Sequence, residues 1–345
     1  MAQDAILSPP AGRGTHPPRW LDGPRRRLVA LVLSLWVLGM AGGLTGCGMA
    51  DAPDDPEALA EEGVLDDAAE TGRRDAGSAL ERGSDAEAGE DSGADMGAKS
   101  EADAADAADS GDFRLEYLEA DDPELAELAR AIQDADVIEP EIAWLNRSFA
   151  LPRDVPVRWL ECGEDNAFYD AETGSIELCY EMVTASTLQF ESDGDEAEDA
   201  FWFALDTAVF FFHHEVGHAL IDLYDLPITG REEDAVDELA ALTLIEGWED
   251  GAYAVLSAAD SFFISGMEVE AESDPEDLPF WDEHAFDLQR FYSIACLVYG
   301  SDPAEMSALI DDGSVPEERA EMCVDEFAQK RESWRRILAP HDLSP

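Results

Sequence analysis

The chain has 345 residues and a formal net charge of -59, from 80 acidic residues against 21 Lys and Arg. Such a charge excludes nucleic acid as a partner, because a phosphate backbone would be repelled. The first hundred or so residues do not have the make-up of a folded domain, which leaves about 230 for one sizeable domain with its own core.

Residues 1–46 have the order of an export signal: the basic cluster Arg25-Arg26-Arg27, the apolar run Leu28 to Leu44, then small residues. The run is short for a membrane span, which favours cleavage over the alternative, an uncleaved anchor helix. Leu44-Thr45-Gly46-Cys47 resembles the lipobox of bacterial lipoproteins. That resemblance implies lipidation of Cys47, with Gly48 after it permitting sorting to the outer membrane. Residues 47–112 are then expected to be a disordered tether. They are rich in Ala, Asp, Glu, Gly and Ser and nearly free of aromatic residues, so they cannot bury enough apolar surface to offset the entropy of ordering.

The folded region is expected over 113–345. Leu115 to Ala135 has helical spacing, and Glu139 to Ala150 reads as a second helix. Val155 to Leu160 alternates as a strand. Asn166 to Asp170 and Ser175 to Tyr180 flank the turn Ala171-Glu172-Thr173-Gly174 as a hairpin. Glu191 to Asp199 reads as an acidic loop. Ala200 to about Tyr224 is a helix apolar nearly all round, which marks it as central and buried. Its Phe-rich run of about 12 residues is too short to span a bilayer, which takes about 20. A further helix begins near Arg231, and others follow over 252–263, 282–299 and 317–338. Besides Cys47 there are four cysteines, an even number suited to an exported domain. Four allow three pairings. Cys162 with Cys179 across the hairpin, and Cys296 with Cys323 on the last two helices, are the pairs expected, and the absence of any C-x-x-C spacing speaks against a cysteine-rich zinc site.

Inside the central helix lies His214-Glu215-Val216-Gly217-His218, an H-E-x-x-H pattern. Residues four apart share a helix face, so His214 and His218 can hold one metal ion, and zinc suits such a pair. Glu215, next to the first ligand, borders the open position and can take a proton from a water there. His213 points about 100 degrees away and is not expected to ligate. The next helix brings acids within reach, with Glu232, Glu233 and Glu238 as candidates for a third ligand. Buried histidines that only satisfy hydrogen bonds are the alternative to a metal site.

Several separated segments resemble a bacterial family assigned as metallopeptidases and formerly known only as a domain of unknown function. They are His214 to His218, Leu226 to Ala235 (LPITGREEDA), Cys162 to Asp170 (CGEDNAFYD), Leu178-Cys179-Tyr180-Glu181, Asp282-Glu283-His284 and Gln289-Arg290-Phe291-Tyr292. The family is similar to the gluzincins, in which a Glu in an E-x-x-x-D frame is the third ligand. The resemblance implies Glu233 as that ligand and Asp237 as the residue that fixes a ligand histidine from behind. It also implies an antiparallel edge strand for an extended peptide, which the hairpin would supply. It further implies an oxyanion-stabilising group from the C-terminal half, where His284 is the candidate.

The expected fold class is α+β, zincin-like: mostly helical, with a small antiparallel sheet or hairpin near the active-site helix. The expected function is zinc-dependent peptide-bond hydrolysis by an exported, lipid-anchored protein, periplasmic or at the cell surface. Glu215 and His284 would be catalytic, and His214, His218 and Glu233 would be the ligands. The alternatives are a non-catalytic zinc-binding module and a structural envelope lipoprotein.

Overall fold

A computed structural model of the chain describes residues 109–343 apart from 249 and 273–277. The expected signal, Cys47 and the tether as far as residue 108 lie outside the described residues.

The first element departs from the expectation. Phe113–Tyr117 is a strand, β1, and the helix begins only at Pro123. Phe113, Leu115 and Tyr117 turn toward the core at the period of two that a strand requires. Five such residues placed directly before an amphipathic helix read as an extension of it. What separates them is Asp122, whose side chain accepts from the N–H groups of Glu124 and Leu125, with Pro123 just inside the helix. Helix α1 (Pro123–Ala135) and helix α2 (Glu139–Ser148) then cross back to β2 (Val155–Leu160), so β1 and β2 run parallel.

β3 (Ala167–Asp170) and β4 (Ser175–Cys179) form the expected antiparallel hairpin. β4 also pairs parallel with β2, which gives the order β1-β2-β4-β3. The sheet is therefore mixed, where an antiparallel one was expected. β2 and β4 are its buried centre, with Val155, Val157, Trp159, Ile176 and Leu178 fully buried. The hairpin partner β3 is left at an edge.

Helix α3 (Tyr180–Ser192) follows β4 without a loop, so the expected acidic loop shrinks to the four residues between Ser192 and Ala197. Helix α4 (Ala197–Tyr224) is the 28-residue centre of the domain. Its small and aromatic side chains, Ala200, Ala204, Ala208, Phe210, Phe212 and Leu220 among them, are buried. It ends where Asp225 takes a left-handed conformation, two residues before Pro227. Around it lie α5 (Glu232–Gly247), α6 (Gly251–Glu272), α7 (Asp287–Ser301), the short α8 (Ala308–Asp311) and α9 (Glu317–Leu338). Helix α6 outruns its expected end at 263. Helix α7 starts five residues later than expected, because Asp282 closes a turn on the backbone N–H of His284.

Both expected disulfides are formed. Cys162–Cys179 ties the loop before β3 to the end of β4, and Cys296–Cys323 joins α7 to α9. Among the described residues no helix is long and apolar enough to cross a membrane.

Candidate metal centre

The site is built where α4 and α5 touch. Gly217, inside the H-E-x-x-H pattern, permits the approach: a Cβ there would lie 2.8 Å from the Cβ of Val236. A glycine inside a helix weakens it, and such a residue in a buried stretch signals close packing. The contact sets the first two turns of α5 against the histidines of α4. Glu233 Oε2 lies 3.1 Å from His214 Nε2 and 3.4 Å from His218 Nε2. Asp237, one turn further on, accepts from His214 Nδ1 at 2.8 Å. Its oxygen thus leaves Nε2 of His214 as the nitrogen that faces Glu233.

The two other acids considered as ligands have different partners. Glu232 Oε1 is 2.8 Å from His218 Nδ1, on the ring's far side from Glu233. Glu238 is paired with Lys330 of α9. His213, not expected to ligate, is buried with Glu141 of α2, its Nε2 3.2 Å from Oε2.

A third imidazole enters from the C-terminal half. His284 Nε2 stands 3.1 Å from the same Glu233 Oε2. One ligand atom each from His214, Glu233 and His284 lies within 4.8 Å of the others. His284 sits in the segment before α7, not on a helix as its neighbours in sequence suggested.

The charges are arranged around Glu233. Burial would raise its carboxyl, but the hydrogen bonds to His214, His218 and His284 outweigh it and hold the group far below the usual carboxylate range. Burial would also lower His218, and Glu233 and Glu232 reverse this and push it up to about 9. His214 is raised as well, Asp237 and Glu233 overcoming the effect of burial. Glu215 behaves differently. Burial raises its carboxyl, and the neighbouring His214 and His218 offset this only in part.

Two residues escaped the sequence reading of this site. Arg290 of α7 stands in the sequence only as a neighbour of His284, with no link to Asp237. Its Nε and Nη2 donate to Asp237 at 2.8 Å each, and its guanidinium lies 3.9 Å above the Phe262 ring. No local spacing links positions 237 and 290, so only the packing of α7 against α5 and α6 reveals the pair. Tyr169 of β3 is the other. Its backbone N–H contributes to the environment of the Glu215 carboxylate, and its hydroxyl donates to Asp222 of α4 at 2.7 Å. The carbonyls of Asn166 and Asp170 are used within the hairpin, accepting from Cys179 and Gly174. By the alternation of an antiparallel pair, the backbone groups of Ala167 and Tyr169 face away from β4, toward the free edge.

A buried pair of helices thus presents imidazole and carboxylate donors to one point, with a further carboxylate and a strand edge beside it. This is a donor set for a divalent metal. The chain matches no curated protein and no solved structure. A family described as "Putative metallopeptidase" matches residues 117–338, which takes in every element from the end of β1 to α9. The chain belongs to that family.

Proposed function

We propose that the domain is a zinc peptidase that hydrolyses peptide bonds in extended substrates. The observation that carries this reading is that His214 and His218 both turn Nε2 to one oxygen of Glu233, with the Glu215 carboxylate beside them and bound to none of them. The set fits zinc: imidazole nitrogens and one carboxylate oxygen, with a ligand histidine held from behind by Asp237. A zinc ion held there would lower the pKa of a water toward neutrality and polarise the substrate carbonyl.

The chain's own residues do the rest. Asp237 and Arg290 fix the ring of His214. Glu215, raised by burial, takes a proton from the attacking water and returns it to the leaving amine. His284, in the segment before α7, donates to the oxyanion. The free edge of β3 offers the carbonyls of Ala167 and Tyr169 to an extended peptide, which would add as a further strand. The proximity of Tyr169 to Glu215 brings such a peptide to the base. An export signal ending at Gly46, with lipid on Cys47 after it, would hold the enzyme on a membrane outside the cytoplasm, the outer membrane by the identity of Gly48.

The test is hydrolysis of an unstructured protein substrate by the purified full chain. Activity is expected to disappear on treatment with a zinc chelator and to return when zinc is added back. Hydrolysis that survives complete removal of metal would contradict the reading.

A further inference from the structure

We propose that His284 is a fourth, displaceable metal ligand: it closes the centre in the substrate-free enzyme and must leave before hydrolysis. This rests on the zinc peptidase reading above and adds a resting state to it.

The distances carry the argument. His214, His218 and His284 place Nε2 at 3.1, 3.4 and 3.1 Å from one oxygen of Glu233. Ligands of a tetrahedral zinc with bonds of about 2.0–2.1 Å stand roughly 3.4 Å apart. His284 therefore stands at ligand distance, and one ligand atom each of His214, Glu233 and His284 lies within 4.8 Å of the others. Its other nitrogen is treated as a ligand's is. Nδ1 lies 3.3 Å from Asp282 Oδ1, and that oxygen also accepts the His284 backbone N–H at 2.9 Å. The pairing on Nδ1 turns Nε2 to the centre, as a carboxylate behind a ligand histidine does.

Four protein ligands make a closed centre, the arrangement of structural zinc, with no place for water. One of the four must therefore be able to leave, and His284 is set apart for that. His214 and His218 are fixed in α4 and Glu233 in α5, with side chains 5%, 16% and 16% exposed. His284 is 45% exposed and stands outside any helix, in the stretch Leu278–Phe286 before α7. In that stretch Phe280 and Trp281 are 66% and 83% exposed, so the core does not hold them. Movement of this stretch would exchange one coordination bond for another, water entering as Nε2 leaves. Nε2 would then gain a proton from solvent and donate to the oxyanion beside the vacated position, with Nδ1–H staying on Asp282.

The test is X-ray absorption at the zinc edge of the zinc-loaded full chain, wild type and His284→Ala, with zinc affinity measured by competition against a chelating dye. Three imidazoles are expected in the wild type and two in the variant. The variant should still bind one zinc, held roughly tenfold or more weakly. Two imidazoles in both proteins, with equal affinities, would overturn the proposal and leave the peptidase reading standing. No zinc in either protein would overturn both.

Discussion

Glu215→Gln is expected to bind zinc as the wild type does, to keep its melting temperature within a few degrees, and to lose hydrolysis by about 10²–10⁴-fold. The substitution preserves the shape of a buried side chain and removes only the capacity to carry a proton. Glu215 belongs to none of the imidazole–carboxylate contacts that join α4 to α5, so metal affinity has no reason to change. Its carboxyl is raised by burial, with His214 and His218 pulling the other way. A base in that position is moved toward neutral pH, where it can both accept and return a proton. The measurement pairs metal content with initial rates on one peptide. A variant that keeps full activity would remove Glu215 from the mechanism.

Arg290→Met should be the most destabilising single change near the site. The guanidinium is buried, donates twice to Asp237 and covers Phe262. Methionine fills much of the volume but leaves the Asp237 carboxylate buried with His214 as its remaining partner. Removing one member of a buried pair costs about 3–5 kcal/mol. In a domain of this size that lowers Tm by roughly 6–20 °C. Zinc affinity should fall by about 10–100-fold, because Asp237 no longer holds His214 in one orientation. Burial alone would raise the Asp237 carboxyl; the Arg290 and His214 contacts reverse this and hold it at about 2. A carboxyl lowered on folding contributes stability that is complete above its unfolded value and lost as pH falls through the folded one. In the wild type that loss falls between about pH 4 and pH 2. Without Arg290 the folded value rises toward the unfolded one, so the loss should shrink and end at higher pH. Thermal melts across this range check both effects, and a variant that melts with the wild type would show that the pair is not a support of the site.

The central part of this site was legible in the sequence for a physical reason. H-E-x-x-H and the E-x-x-x-D frame are each spaced for one face of a helix, and the structure places His214, His218, Glu233 and Asp237 at a single contact of α4 and α5. Strands β2, β3 and β4 were legible from their alternation and from the turn at Gly174, whose φ of 67° suits glycine. Both disulfides followed from the hairpin and from the last two helices.

What was missed depends on contacts distant in sequence. β1 is a strand because Val155–Leu160 lies beside it, and five residues of period two before a capped helix do not announce that partner. The parallel pairing of β2 with β4, which makes the sheet mixed, leaves no mark in either strand. Arg290 reaches Asp237 across 53 positions, and Lys330 removes Glu238 from the candidate ligands across 92. Helix α3 was overlooked because it continues from β4 without any turn residue between them.

The central claim is that this domain holds one catalytic zinc on His214, His218 and Glu233. The most direct test is metal content by mass spectrometry of the purified full chain, wild type and Glu233→Ala, after equilibration with zinc and removal of excess. About one zinc per wild-type chain is predicted, with the variant depleted. A folded wild type that holds no zinc would contradict the account.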